Sequence, residues 1–169
     1  MAETVYISLG SNMGDREKNL TGALVSLEAV PGLEIIATSG IYVTEAQEMD
    51  EGSPDFMNQV IMADFSFLPA ELLDSLEKIE TKMGRTGKGQ YQPRVIDLDI
   101  LLFGDQIIET ERLSIPHRKM LNRPFILVPL LQINPELVHP VMEEPIANYL
   151  TDKDREKAIL FKDHVARSI

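Results

Sequence analysis

The order in which strand-like and helix-like segments alternate is the feature that most constrains the fold of this chain. Segments rich in β-branched and aromatic residues are typical of strands. Segments whose leucines and isoleucines recur every three or four positions are typical of amphipathic helices. These patterns predict strands over Val5–Leu9, Leu33–Thr44 (bent at Gly40), Phe56–Phe67 and Val95–Phe103, and helices over Arg16–Val30 and Pro69–Met83.

The resulting β-α-β-β-α-β order predicts an α+β protein with a ferredoxin-like antiparallel sheet and both main helices packed on one face. Asp15 is a suitable cap for the first helix, and Gly84 a suitable end for the second. We further predict a short strand over Gln106–Glu109, a buried helix over Phe125–Ile133 and a helical C-terminal extension from Glu143. No repeat or linker divides the chain, so we expect a single domain over residues 1–169.

The composition excludes several classes of function. The 169 residues contain no cysteine, which excludes disulfides, thiolate catalysis and Cys-ligated zinc. Apolar residues make up 44% of the chain, yet no run, Phe125–Leu131 included, is long enough to cross a bilayer. The net charge of −11 repels polyanions, so we expect no nucleic-acid partner, and the short apolar runs predict no membrane partner. The N-terminus lacks a basic region followed by an apolar one, and we therefore expect a cytoplasmic protein without a secretory signal.

Two acidic residues, Asp97 and Asp99, interrupt an otherwise apolar strand. Alternate residues of a strand point to one face, roughly 6.6 Å apart, so the pattern predicts one face shared by these aspartates, Leu101 and Phe103. Neighbouring like charges repel, and a divalent cation such as Mg²⁺ would remove that cost. The alternative is a solvent-facing strand end with two acids that bind nothing.

A basic segment precedes the two aspartates. Residues 82–94 contain four cations and no acid, with glycines between them. Guanidinium and ammonium groups next to metal-binding carboxylates are typical of phosphoryl-transfer sites, and a glycine-containing loop is suited to act as a lid. A solvated, flexible connection is the alternative interpretation. The four cations are Lys82, Arg85, Lys88 and Arg94.

Several single residues carry weaker signals. His117 follows a proline in a loop, where a functional side chain is more plausible than in a core. Asn58 is a polar residue in an apolar strand, so it either faces solvent or binds a ligand. Glu80 is interpreted, on its own, as a solvated residue on the polar side of its helix. The segment Gly10–Asn12 is interpreted as a tight turn after the first strand.

Taken together, these residues resemble one family, the 6-hydroxymethyl-7,8-dihydropterin pyrophosphokinases of folate biosynthesis. The resemblance runs from Tyr6 to about Pro140 and is most specific around the two aspartates. Six blocks occur in the order of the family. They are Tyr6–Asn12, Tyr42–Thr44 with Phe56–Asn58, Ile79–Glu80 with Gly84–Arg85, Pro93–Gly104, Arg112–His117 and Asn122–Leu130.

The resemblance implies a ferredoxin-like fold and transfer of pyrophosphate from ATP to 6-hydroxymethyl-7,8-dihydropterin, giving AMP and the pterin diphosphate. It implies two Mg²⁺ ions held by Asp97 and Asp99, with Arg85 and Arg94 as further catalytic residues. The implied nucleotide-binding residues are Glu80, Lys88, Ile100, Arg112, His117 and Arg123. Thr44, Phe56, Asn58 and Phe125 would bind the pterin, with the two phenylalanines on either face of its ring. The family is usually monomeric, so we expect a monomer whose partners are its two small-molecule substrates.

The chain departs from the common family pattern at four positions. Phe56 and Glu45 stand where tyrosine and proline are frequent, and Tyr91 and Gln90 where tryptophan and arginine are frequent. The aspartates are unaffected, whereas Glu45 bears on the shape of the loop after Thr44, and Gln90 and Tyr91 bear on closure of the loop before Arg94.

Two other functions are compatible with parts of the pattern. A non-catalytic ferredoxin-like domain that binds a nucleotide or a regulatory partner would not need both aspartates and the flanking arginines. Another two-metal phosphoryl enzyme, such as a nuclease, would need both, but the net charge of −11 disfavours a nucleic-acid substrate.

Overall fold

The described part of the chain forms a six-stranded sheet with helices on both faces. A computed structural model describes residues 2–44, 55–84 and 95–162. Within them lie two 3-10 turns, Met120–Asn122 and Ile146–Tyr149. The helices are α1 (Arg16–Glu28), α2 (Pro69–Lys82), α3 (Pro124–Ile133) and α4 (Asp152–Lys157). The strands are β1 (Glu3–Ser11), β2 (Leu33–Thr38), β3 (Ile41–Thr44), β4 (Phe56–Phe65), β5 (Asp97–Phe103), β6 (Ile108–Glu109), β7 (Ser114–Ile115) and β8 (Ile159–Lys162).

The sheet is antiparallel throughout and has the order β5-β1-β4-β3-β8, with β2 also paired to β4. The segment Leu33–Thr44, predicted as one bent strand, therefore forms two strands, β2 and β3, which both pair with β4. The break falls at Ser39 and Gly40, where Ser39 Oγ accepts from the N–H of Val60 (2.9 Å) and donates to the carbonyl of Gly40 (2.7 Å). A hydroxyl that bonds backbone locally offers an alternative to the ladder, which explains the interruption.

Each face of the sheet has its own hydrophobic cluster. The first cluster joins β1, β4 and β5 to the apolar sides of α1 and α2, as predicted for the two main helices. The second cluster joins Tyr6, Val60, Leu101 and Leu102 to α3 and the two 3-10 turns on the opposite face. Helices therefore cover both faces, and the prediction of helices on one face holds only for α1 and α2.

A β-bulge in β5 corrects the predicted alternation of its side chains. Tyr6 pairs with Leu102 and Ile7 pairs with Ile100, so Leu101 is an additional residue on β5. An extra residue reverses the faces of the residues that follow it. Phe103 consequently joins the first cluster, with its ring edge-on to Phe65 at 6.1 Å, instead of sharing a face with the two aspartates.

The described part of the C-terminal extension, residues 143–162, is mixed and not helical as predicted, and the rest of that prediction lies outside the described residues. This part contains a 3-10 turn, the six-residue α4 and the strand β8, which pairs with β3. The capping box of Thr151 and Asp154 explains why α4 begins where it does. All four residues of β8 are exposed, so its backbone pairing and not core burial places it on the sheet.

Two glycines give opposite predictions for stability. Gly22 lies inside α1, where an added Cβ would have only Met83 Cε nearby, at 3.7 Å. Gly22→Ala should therefore raise the free energy of unfolding by about 0.5–1 kcal/mol.

Gly32 has φ +81°, and an added Cβ would lie 2.5 Å from Phe67. Gly32→Ala should therefore lower the free energy of unfolding by about 1–3 kcal/mol. Urea unfolding of both variants measures the two free energies. Equal changes in the two variants would contradict the helical conformation of Gly22 and the positive φ of Gly32.

Candidate active site

Asp97 and Asp99 lie at the first residues of β5, on the face of the sheet opposite to α1 and α2. Asp97 pairs with Gly10 and Asp99 pairs with Ser8 across the antiparallel ladder. Leu98, between them, is fully buried in the first cluster, whereas both aspartates are half-buried. The two carboxylates therefore share one face, as the alternation predicted, and the residue between them fixes that orientation by burial.

Gly10 separates Asp97 from Asn58 in a row that crosses three strands. Gly10 pairs with Asp97 on one side and with Asn58 on the other. Paired residues of antiparallel strands lie roughly 5 Å apart, so the two polar residues are about 10 Å apart at Cα. A Cβ on Gly10 would be 3.1 Å from Asn58 Oδ1 and 3.6 Å from Phe56 Cδ1. Because Gly10 has no side chain, the surface of the sheet between the carboxylate of Asp97 and the amide of Asn58 is not covered by a side chain at this position.

The interpretation of Gly10–Asn12 as a turn was wrong at its first two residues, because β1 continues to Ser11. Gly10 was for that reason missed as a residue of the site. A glycine inside a strand is itself a signal of close approach by another group. Here that group is the pair of side chains Phe56 and Asn58.

Asn58 is buried and held in a fixed orientation. Its Nδ2 donates to Thr44 Oγ1 at 2.9 Å, and Thr44 pairs with Phe56 across β3 and β4. With Nδ2 engaged by Thr44, Oδ1 lies on the side of Gly10. The structure therefore brings together Thr44, Phe56 and Asn58, three of the four residues predicted for the pterin.

The fourth, Phe125, lies in the first turn of α3. Its ring packs partly buried against the second cluster, and the guanidinium carbon of Arg123 is 5.7 Å from the ring centroid. Pro124 provides the fixed φ with which a helix begins. Arg123 and Phe125 are thus a cation–π pair at the start of a helix on the same face as the aspartates.

The outer edge of β5 makes two hydrogen bonds with predicted site residues, one as donor and one as acceptor. The N–H of Leu98 donates to Oε2 of Glu80 at 2.8 Å, and the N–H of His117 donates to the carbonyl of Leu101 at 3.0 Å. Nδ1 of His117 accepts from the N–H of Lys119 at 3.2 Å, so a neutral His117 ring carries its hydrogen on Nε2. Glu80 is 3% exposed, and its interpretation as a solvated helix residue was wrong.

Two predicted nucleotide residues do not face the aspartates. Ile100 is buried in the first cluster, on the opposite face of β5, so only its backbone is available to a ligand. Arg112 is exposed and donates to Glu77 at 2.7 Å and to Asp74, both on α2. These hydrogen bonds, with Glu77 contributing most, raise the pKa of Arg112 above its usual value. Sequence patterns could not show that α2 would present two acids to this arginine.

The predicted phosphate-binding residues Arg85, Lys88 and Arg94 lie outside the described residues. Within residues 2–44, 55–84 and 95–162, no group of three or more His, Asp or Glu side chains is placed to hold a metal. Two half-buried carboxylates nevertheless fit Mg²⁺, which commonly takes one or two protein carboxylates and completes its shell with phosphates and water. The donor set is therefore suited to a metal that arrives with a nucleotide.

Comparison with known proteins gives relatives of high similarity. A 2-amino-4-hydroxy-6-hydroxymethyldihydropteridine pyrophosphokinase of Aquifex aeolicus is 40% identical over 146 residues, covering 86% of this chain and 89% of the relative. The enzyme of the same name from Pseudomonas aeruginosa is 37% identical over 140 residues, covering 83% and 86%. The folic acid synthesis protein fol1 of Pneumocystis carinii is 40% identical over 162 residues, which are 94% of this chain but 22% of that protein.

Solved structures show the same fold. The chain matches a Plasmodium falciparum HPPK-DHPS triple mutant with STZ-DHP at a TM-score of 0.70 and 19% identity, over 88% of this chain. It spans 43% of that longer protein. Wild-type Plasmodium falciparum HPPK-DHPS with pteroate matches at a TM-score of 0.68 and 18% identity.

The family model for 7,8-dihydro-6-hydroxymethylpterin-pyrophosphokinase (HPPK) matches residues 6–135. This range contains the two aspartates, Gly10, Asn58 and the first turn of α3. The chain therefore belongs to the 7,8-dihydro-6-hydroxymethylpterin-pyrophosphokinase family.

Proposed function

We propose that the chain transfers the terminal diphosphate of ATP to 6-hydroxymethyl-7,8-dihydropterin in folate biosynthesis. The hydroxyl oxygen of the pterin forms a bond to the β-phosphorus, the bond from that phosphorus to the α–β bridging oxygen breaks, and AMP leaves. The hydroxyl proton is released, and the pterin diphosphate is the second product. Family membership supports this reaction, and the placement of Asp97 and Asn58 on either side of Gly10 is the observation that carries it.

Asp97 and Asp99 would hold two Mg²⁺ ions, which supply charge neutralisation on the triphosphate when they are bound. Their shared face and partial exposure support this role, because both carboxylates remain open to a ligand while Leu98 anchors the strand. The metal and the phosphates would lie at one end of the row through Gly10. The reacting hydroxyl would be brought there by the pterin bound at the other end.

The pterin would lie against Phe56 and Phe125, with its polar edge bonded to Asn58. A flat heterocycle with donors and acceptors on one edge requires apolar faces and an amide, and these residues provide both. Thr44 fixes the amide, so Asn58 presents one orientation to the ligand. Preorganisation of this kind lowers the entropy lost on binding.

Arg85, Lys88, Arg94, His117 and Arg123 complete the proposal as phosphate-binding residues. Support from the described structure concerns His117 and Arg123, which lie on loops next to the outer edge of β5 and the start of α3. Arg112 would have to exchange Asp74 and Glu77 for a nucleotide, and Ile100 would act through its backbone. The nucleotide contact implied for Glu80 stays a prediction.

The remaining proposals concern the protein as a whole. β1 lies between β5 and β4, and β2 and β3 both pair with the other side of β4. This order supports the ferredoxin-like topology, in which β2 and β3 together take the place of one strand and α1 and α2 are the connecting helices. We also propose one domain over residues 1–169, a monomer and a cytoplasmic location. Among the described helices, none combines the length and apolar character needed to span a membrane.

Product analysis tests the reaction. We expect AMP to form from ATP only when both the pterin and Mg²⁺ are present, at a rate that falls by about 10²–10³-fold or more in Asp97→Asn and Asp99→Asn. The loss follows because each amide has a neutral oxygen where the metal requires a charged one. Chromatography of the nucleotides measures AMP and ADP separately.

Asp105→Asn is the matched control, since Asp105 is an exposed aspartate just beyond the other end of β5. It should leave the rate within about two-fold, as surface substitutions usually do. ADP as the product, or AMP that forms without the pterin, would contradict the proposed reaction. Full activity in Asp97→Asn would contradict the assignment of the metal site.

Asn58→Ala should weaken pterin binding and leave ATP binding unchanged. Loss of the hydrogen bonds of a buried amide costs about 1–3 kcal/mol, or roughly 5–150-fold in the dissociation constant of the pterin. Calorimetric titration with the pterin measures this constant, and Asn148→Ala, at an exposed position, is the control. A pterin affinity that is equal in both variants would refute the role of Asn58.

A further inference from the structure

The inference concerns the outer edge of β5, the strand that carries both aspartates. Among the described strands, β5 is terminal on this side of the main sheet, with β1 as its one neighbour. The N–H of Leu98 points away from β1 toward α2. Leu98 is fully buried, so its N–H needs a protein partner in place of water.

Glu80 provides that partner from the last turns of α2. Its Oε2 accepts the N–H of Leu98 at 2.8 Å, although 18 positions separate the two residues in sequence. A carboxylate that is 3% exposed is costly unless it is hydrogen-bonded, and a charged acceptor makes a stronger hydrogen bond than a neutral one. Because Leu76 and Ile79 anchor this part of α2 in the first cluster, the carboxylate links the packed core to the strand.

The peptide that Glu80 engages lies between the two aspartates. It joins the carbonyl of Asp97 to the N–H of Leu98, at the point where β5 begins and where the pairing with β1 ends at Gly10. Strand ends are the parts of a sheet that open most easily. Metal ligation tolerates deviations of only about 0.2 Å in ligand distance, so movement of this peptide would displace Asp97 relative to Asp99.

We propose that Glu80 is a positioning residue: it holds the Asp97–Leu98 peptide so that both aspartates present one fixed geometry to Mg²⁺ and the nucleotide. The inference rests on the proposed function. It differs from the direct nucleotide contact that the family resemblance implies for Glu80. A positioning role requires a hydrogen-bond acceptor at the correct distance, whereas a direct role depends on the negative charge.

Three substitutions separate these requirements. Glu80→Gln keeps the length and an acceptor oxygen but loses the charge, Glu80→Asp keeps the charge but is one methylene too short, and Glu80→Met keeps the volume without a strong acceptor. We expect Glu80→Gln to stay within about three-fold of the wild type. Glu80→Asp and Glu80→Met should each lose about 10–100-fold in Mg²⁺ affinity and in kcat, as removal of an outer-shell partner typically does. The KM for the pterin should change by less than three-fold.

Two readouts besides activity make the test independent of turnover. The first is the exchange rate of the Leu98 amide hydrogen, measured by NMR, which should rise by at least ten-fold in Glu80→Met and remain unchanged in Glu80→Gln. The second is calorimetric titration of Mg²⁺ into the protein saturated with a non-hydrolysable ATP analogue. Glu71→Gln, at an exposed position on the same helix, should change neither quantity.

The inference is overturned if Glu80→Gln loses as much Mg²⁺ affinity as Glu80→Met, or if Glu80→Met keeps wild-type affinity and kcat. Should Glu80→Met fail to fold, the comparison of Glu80→Asp with Glu80→Gln decides, because a direct charge role predicts the aspartate variant to be the more active one. Failure of the proposed function is distinguishable, since the wild type would then release no pterin-dependent AMP. The Leu98 exchange rates would still report whether Glu80 fixes the strand.

Discussion

The pairing of β1 with β4 on one side and β5 on the other is the constraint on which the site depends. Because successive side chains of a strand point to opposite faces, the register of β1 decides which face receives each residue of its neighbours. Val5, Ile7 and Leu9 are almost completely buried against the helices α1 and α2. That burial leaves Ser8 and Gly10 on the other face, and it brings Asp97, Asp99 and Asn58 to the same face through the ladder. A slip of one residue would exchange the aspartates for apolar residues, so the core and the site are specified by the same register.

The bulge at Leu101 reconciles two demands on β5. The strand must leave two carboxylates accessible at its beginning, yet it must fill apolar clusters on both faces at its end. With the additional residue, Leu101 and Leu102 both contribute to the second cluster, and Phe103 returns to the first. The carbonyl of Leu101 also accepts the N–H of His117, which attaches the loop after β7 to the strand edge. Bulges are common next to active sites because they redirect side chains in this way.

The two main helices with their ends, the strands β1, β4 and β5, and the shared face of the aspartates could be predicted from the sequence, because each depends on local periodicity and capping. The bulge could not, since the apolar run from Ile100 to Phe103 contains no residue that marks a break in alternation. The burial of Glu80 was also hidden, because a single acid on a helix is indistinguishable from a solvated one until its partner is known. Gly10 offered a signal, a glycine at the end of a strand, that admits both a turn and a close approach. The strand β8 was missed because its stability comes from pairing with β3, which lies more than 100 residues earlier.

The charge of the protein explains why a metal belongs in the proposed reaction. The chain carries a net charge of −11, and in the proposed site two carboxylates lie where the triphosphate would approach. Without a cation, the repulsion between these half-buried carboxylates and the phosphates would oppose binding. In the proposed site the cations of residues 82–94 would offset part of this repulsion, and Mg²⁺ bound to the two carboxylates would supply a compact double charge next to them. Under the proposed function, a negatively charged protein with an Asp-x-Asp strand would therefore bind metal-bound ATP in preference to free ATP, and it would repel polyanions that arrive without a cation.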